Sequence, residues 1–264
     1  MRGHITIMDT VSDVPYIVEA SGLTKEFKGF AAVKNVDLRI RRHTIHALIG
    51  PNGAGKTTCF NLITKFLEPT RGTIKLNGRD ITRTPPADVA RLGMVRSFQI
   101  SATFPHLTVL ENVRIALQRP IGNSFHFWQS EKSLGALNDR AMQLLADVDL
   151  THYARHLAVE LPYGRKRALE IATTLALEPE MLLLDEPTSG MGREDIARTA
   201  DLIKRVSDNR TILMVEHNLS VVANLSDRIT VLARGEILTE GPYSEVSKNP
   251  QVVEAYMGTG HGAH

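Results

Sequence analysis

Four blocks along the chain, "IHALI" (45–49), "MLLLD" (181–185), "TILMV" (211–215) and "ITVLA" (229–233), are almost wholly apolar and too short for helices. Runs of this kind predict strands covered on both faces. Between the last three lie segments with helical spacing. In "REDIARTADLIKRV" (193–206), Ile196, Ala200, Ile203 and Val206 share one face. Strand, helix and strand in repetition imply a parallel sheet covered by helices.

The start of the chain follows a different pattern. "IVEASGLTKEF", "VKNVDLRI" and "RGTIKLNG" alternate apolar with polar residues and carry Gly and Asn punctuation, which predicts antiparallel strands with one wetter face. Residues 105–160 contain no good strand. They open with "TVLE", where Thr108 can cap the backbone while Glu111 reaches back, a capping box that starts a helix. The expected architecture is therefore α/β: a mainly parallel core sheet flanked by helices, an antiparallel β part at about 16–80 and an inserted helical part at about 100–165. One domain would span 16–257, leaving 1–15 and 258–264 as flexible termini. There is no internal repeat, low-complexity tract or linker long enough to separate two domains.

Composition narrows the function. Lys plus Arg number 31 against 29 Asp plus Glu in 264 residues, so no basic surplus announces a nucleic-acid partner. The single cysteine, Cys59, excludes an internal disulfide and suits a reducing compartment. The first twenty residues carry acids and lack the apolar core of a secretory signal, and no stretch approaches the ~18 apolar residues needed to span a bilayer. If the protein works at a membrane, another protein holds it there. If "HTIH" is a strand, His43 and His46, three apart, face opposite sides of it and cannot share a metal.

"GPNGAGKTT" (50–58) fits G-x-x-x-x-G-K-[ST] directly after the strand "IHALI" and ahead of a helical run. Its residues are Gly50, Pro51, Asn52, Gly53, Ala54, Gly55, Lys56, Thr57 and Thr58. Glycines let the backbone curl so that successive N–H groups face phosphate oxygens, and the following helix adds its positive end. Lys56 would neutralise the terminal phosphates of a nucleotide and the Thr57 hydroxyl would ligate Mg²⁺. In "MLLLDEP", four apolar residues carry carboxylates to the end of a strand, where α/β sheets place ligands. There Asp185 would hold Mg²⁺ through its water shell and Glu186 would orient or deprotonate the attacking water.

With these motifs the chain resembles an ATP-binding-cassette (ABC) ATPase, a P-loop NTPase family, from about residue 16 to 257. The resemblance implies further roles. Gln99, in "RSFQ", would contact Mg²⁺ and the attacking water and link to the membrane partner. His217, in "MVEHN", would meet the γ-phosphate. "LPYG" (Leu161, Pro162, Tyr163, Gly164) is similar to the family signature L-S-G-G-Q at a helix start, which in the family closes over the ATP of a second subunit in a head-to-tail dimer. Arg165, Lys166 and Arg167 behind it would favour an anion or form a solvated helix face. Phe27, with Phe30 in reserve, would stack on adenine.

Four departures from the family pattern stand out. Pro162 replaces the signature serine, Tyr163 the first glycine and Arg165 the glutamine. Gly192 stands where the family usually ends a loop in Asp. Within the family, "ALIGPNGAGKTTCFNLIT", the "YG" signature with "RALEIA", "EHNLSVV" and "NPQVVEAYMG" resemble ATPase subunits of branched-chain amino acid importers. That implies separate integral-membrane permease subunits, a second ATPase subunit (a heterodimer favoured over a homodimer), indirectly a solute-binding protein, and a peripheral place on the cytoplasmic face of the membrane. A lipopolysaccharide-transport cassette, which shares the "YG" signature, and a soluble non-transport cassette are the alternatives.

Overall fold

The computed structural model describes residues 15–97, 103–118 and 131–257. Gln99 and, apart from Pro15, both terminal segments expected to be flexible lie outside the described residues. The chain opens with β1 (Tyr16–Phe27) and β2 (Phe30–Arg41). β3 (Ile45–Ile49) leads into α1 (Lys56–Ile63), and β4 (Arg71–Leu76), β5 (Arg79–Asp80), α2 (Pro86–Arg91) and β6 (Met94–Ser97) follow. Next come α3 (Val109–Gln118), α4 (Glu131–Asp147) and α5 (Tyr163–Leu175), then β7 (Met181–Asp185), α6 (Arg193–Ser207), β8 (Thr211–Val215) and α7 (Leu219–Leu225). β9 (Arg228–Ala233), β10 (Glu236–Gly241), α8 (Tyr243–Val246) and α9 (Pro250–Met257) complete the order.

Two sheets result. The first, in the order β2-β1-β4-β5, is antiparallel throughout. Its hairpins turn on residue pairs that accept positive φ: Lys28 and Gly29 (47° and 86°) between β1 and β2, and Asn77 and Gly78 (51° and 76°) between β4 and β5. Positive φ at both central residues matches the right-handed twist of the strands that a two-residue turn must join. The second sheet, in the order β10-β9-β3-β8-β7-β6, is parallel except where β10 runs back along β9 through a third such turn at Arg234 and Gly235.

The unbroken apolar runs of the parallel strands now have a cause. Ile45, Ala47, Ile49, Leu182, Leu184, Ile212 and Met214 point into a core shared with α3 to α7. The intervening Leu48, Met181, Leu183, Leu213 and Val215 point into a second core between the sheets. Both faces are covered, so neither can be polar. α1 contributes Cys59, Phe60, Leu62 and Ile63 to that second core, and burial pushes the Cys59 thiol pKa up to about 12, as befits a small packing residue.

α3, α4 and α5 lie on the other side. Thr108 and Glu111 form the expected capping box: Glu111 Oε2 accepts from the Thr108 N–H at 2.7 Å and Thr108 Oγ1 accepts from the Glu111 N–H at 3.2 Å. Val109, Val113 and Leu117 then recur every fourth residue against Ala141, Leu144, Leu145 and Val148. No helix among the described residues is long and apolar enough to cross a membrane.

Candidate functional site

β3, β8 and β7 are adjacent and parallel, so the segments that leave their C-terminal ends emerge at one edge of the sheet. These are residues 50–55 after β3, Glu216 and His217 after β8, and Glu186 after β7. The sheet thus gathers three distant stretches of sequence, as doubly wound sheets do for their ligands.

The loop between β3 and α1 owes its shape to its neighbours. At Gly50 (φ 149°) a Cβ would stand 2.1 Å from the Leu232 carbonyl oxygen, and at Gly55 (φ 97°) 2.4 Å from that of Ala32. Only glycine fits either place. Gly53 (φ 77°) has nothing within 4 Å of where a Cβ would lie, so the crown of the loop is open to a ligand. The Gly235 N–H bonds the Ala54 carbonyl at 3.0 Å, fixing the loop to the turn between β9 and β10. Pro51 and Thr58 are half-buried, Ala54 is buried, and Asn52 and Thr57 are exposed. Lys56 arches back to donate to the Gly50 and Pro51 carbonyls at 2.7 and 2.9 Å. Burial lowers its pKa while the Glu186 carboxylate works in the opposite direction, which places the hydrolytic candidate within electrostatic reach of the cradle.

Asp185 is 4% exposed and held from two sides. Arg96 Nη2 donates to its Oδ2 at 2.6 Å, and Arg167 Nη2 donates to its carbonyl at 3.0 Å. Arg96 also donates to Asn61 Oδ1 at 2.7 Å and lies over the rings of Phe60 and Phe66. Glu186 follows in a left-handed conformation (φ 45°), its N–H bonded to the Val215 carbonyl at 2.8 Å. Positive φ at a non-glycine residue costs energy that the surroundings must supply, and such strain gathers at functional sites. The His217 side chain is 60% exposed.

The "LPYG" stretch has other neighbours. Leu161 is buried, Pro162 is the N-cap of α5, and the Tyr163 hydroxyl donates to the Ser189 carbonyl at 3.3 Å. A Cβ on Gly164 would lie 2.9 Å from the Asp195 carboxyl carbon, so the close approach this glycine permits is to α6 of its own chain. The basic run behind it splits three ways. Arg165 donates to the Asp149 carbonyl at 3.1 Å and stacks on Tyr153, and Lys166 is half-buried. Arg167 is buried and paired with Glu170 at 2.7 Å. Neither an anion site nor a solvated face describes Arg167, which is a brace between α5 and β7. Gly192 caps α6 with no side-chain bond. At the first hairpin Phe27 is 43% and Phe30 69% exposed, with Lys25 5.2 Å from the Phe27 ring centre.

The residues that motif reading missed are Arg96 and Glu216, and Arg167 was read only as part of a basic run. Arg96 interrupts the buried strand β6, Arg167 lies buried on α5 beside Glu170, and Glu216 directly follows the apolar run of β8. A charge so placed is visible in the sequence, but the partner it implies is not.

The open loop crown, the lysine arched over it and the carboxylates beside it fit a polyphosphate, with Thr57 and Asp185 as oxygen donors suited to Mg²⁺. Comparison with known proteins identifies the family. The family model described as ABC transporter matches residues 33–189, and one described as branched-chain amino acid ATP-binding cassette transporter matches residues 236–262. The Escherichia coli K12 high-affinity branched-chain amino acid transport ATP-binding protein LivG is 39% identical over 92% of this chain and 98% of its own length. The Pseudomonas aeruginosa counterpart BraF is 37% identical over the same shares. The solved ADP conformation of MJ1267, an ATP-binding cassette of an ABC transporter, superposes with a TM-score of 0.80 at 29% identity, over 92% of this chain and 99% of that one. By these matches and by its own phosphate loop, the chain belongs to the ABC transporter family.

Proposed function

We propose that this chain is the ATP-hydrolysing subunit of an importer of branched-chain amino acids or related small solutes, working through separate permease subunits at the cytoplasmic face of the membrane. The observation that carries this reading is the convergence of residues 50–58, Asp185, Glu186 and His217 on one edge of the parallel sheet. The solute class rests on the relatives' names and on the match over residues 236–262.

In this reading the backbone of 50–58 cradles the phosphates of ATP, and Lys56 leaves its two carbonyl partners to meet the terminal ones. Phe27 or Phe30 covers the base. Among the described residues no three His, Cys, Asp or Glu side chains gather into a metal cage, so Mg²⁺ would draw on phosphate oxygens, Thr57 and Asp185, with Gln99 as a further ligand. Bound there, Mg²⁺ neutralises charge developing on the transferred phosphoryl group. Glu186 orients the water and accepts its proton, and His217 approaches the γ-phosphate. A second ATPase subunit supplies the signature that closes over this ATP, while Leu161, Pro162, Tyr163 and Gly164 close over the partner's. Pro162 has no hydroxyl to offer there, which favours a heterodimer whose other member carries the stronger signature.

The test is a calorimetric titration with Mg-ATP alongside an ATPase assay. Lys56→Ala should abolish measurable binding. Glu186→Gln should bind ATP, accumulate as a dimer and hydrolyse about 10²–10⁴-fold more slowly. Normal turnover by Glu186→Gln would remove Glu186 from the mechanism.

A further inference from the structure

Four hydrogen bonds converge on one buried carboxylate that the hydrolytic scheme does not use. Glu216 has no exposed surface. Its Oε1 accepts from the Thr188 N–H at 3.1 Å and from the Thr188 hydroxyl. Its Oε2 accepts from the N–H groups of His217 at 2.8 Å and Asn218 at 3.0 Å. A buried carboxylate is tolerated only when its lone pairs are met, and bonds to an ionised acceptor are the strong ones.

The two oxygens serve two different segments. Thr188 stands two residues after Glu186 in a tight turn whose Ser189 N–H bonds the Glu186 carbonyl at 3.1 Å. His217 and Asn218 are the first two residues beyond Glu216 at the end of β8, and Asn218 in turn caps α7 by accepting from Ser220 and Val221. Neither segment can shift relative to the other without breaking charge-assisted bonds inside the protein.

We propose that Glu216 is a positioning residue for ATP hydrolysis: its carboxylate locks the segment behind Glu186 and the segment bearing His217 into one unit. This rests on the catalytic reading of Glu186 and His217, and the experiment separates the two claims. Glutamine at 216 keeps the size of the side chain but turns an NH₂ group toward backbone donors, so one of the two segments loses its acceptor.

Using the full chain, Glu216→Gln should lower kcat for ATP about 10- to 100-fold while KM stays within about threefold. Thr188→Val, which deletes one hydroxyl, should lower kcat about 3- to 10-fold, and adding it to Glu216→Gln should cost less than the product of the two. Unchanged kcat in Glu216→Gln overturns the proposal, as does a loss of ATP binding in step with kcat. Should Glu216→Gln fail to fold, unchanged kcat in Thr188→Val overturns it instead. Amide hydrogen exchange of the nucleotide-free protein gives the independent readout: residues 188–190 and 217–218 should exchange faster together in Glu216→Gln. Acceleration of one segment alone overturns the clamp even where Glu186→Gln has already proved inert, and joint acceleration sustains it even if Glu186 turns out to be dispensable.

Discussion

At the phosphate loop and at the tip of α5, glycines bring the backbone close to a neighbour, but the neighbours differ in kind. Gly50 and Gly55 are pinned against carbonyls of other strands, Leu232 and Ala32, while Gly53 between them faces open space. Gly164 lies closest to the side chain of Asp195, and Tyr163 reaches from the same tip to the Ser189 carbonyl. The loop is a rigid cradle that keeps its crown free. The tip is tethered by side chains to the start of α6, and its remaining face is exposed. The exposed face of the tip is what the proposed function assigns to the nucleotide of a second subunit.

The largest expected effect on the fold comes from cutting what joins these two regions. Arg96 and Arg167 grip Asp185 through its carboxylate and its carbonyl, one from β6 and one from the tip helix. Removing one partner of a buried ion pair leaves an uncompensated charge and costs about 3–5 kcal/mol. Both Arg96→Ala and Arg167→Ala should therefore lower the urea midpoint steeply, since the first strands Asp185 and the second strands Glu170. If Arg167→Ala proved neutral, α5 would not be braced to β7, and the tip and cradle would be energetically independent.

This pair also marks the limit of what the sequence discloses. The strands "IHALI", "MLLLD" and "TILMV" occupy the expected residues because burial on both faces leaves only apolar side chains, and a run of them is unmistakable. The capping box at Thr108 is equally local: two residues three apart decide it. Where Arg96, Arg167 and Glu216 send their charges is a matter of topology, and Asp185 lies 89 positions from Arg96 along the chain. β10 escaped the reading for a related reason. Its burial is intermediate over most of its length, so its sequence lacks both the clean alternation of a half-buried strand and the apolar run of a covered one. The "LPYG" tip was legible as a helix start, whereas its contacts with Ser189 and Asp195 were not.

A smaller effect separates the strand beneath the cradle from the tip by pH. His46 is wholly buried in β3, its Nε2 2.8 Å from the Thr230 hydroxyl, which itself donates to Glu240. Burial depresses its pKa to about 4; Glu240 opposes the shift and Arg228 adds to it. The unfolded chain, with a histidine pKa near ~6.5, binds a proton there first. Stability conferred by the neutral ring is therefore complete above pH ~6.5 and drains away as the pH falls toward about 4. At pH 5 the loss should reach about 2 kcal/mol. Urea midpoints at pH 7.5 and pH 5 should differ more for the native protein than for His46→Gln, and equal differences would mean that His46 is protonated without cost in the fold.

The smallest effect on stability is expected at the tip. Pro162 caps α5 with φ −57° and ψ 156° and makes no side-chain bond. Serine there would accept from the first-turn N–H groups and stabilise the helix by about 1 kcal/mol. It would also release the unfolded chain from proline's constraint, which gives back about 0.4–1 kcal/mol. The melting temperature of Pro162→Ser should therefore barely move. Closure over a partner's nucleotide is another matter, because a restored hydroxyl adds a charge-assisted bond that strengthens association by roughly 10-fold. Sedimentation of Glu186→Gln with and without Pro162→Ser, at graded Mg-ATP, separates these outcomes. Tighter dimers at unchanged melting temperature assign Pro162 to the surface between subunits, whereas a raised melting temperature with no change in association would make it a cap of its own helix and nothing more.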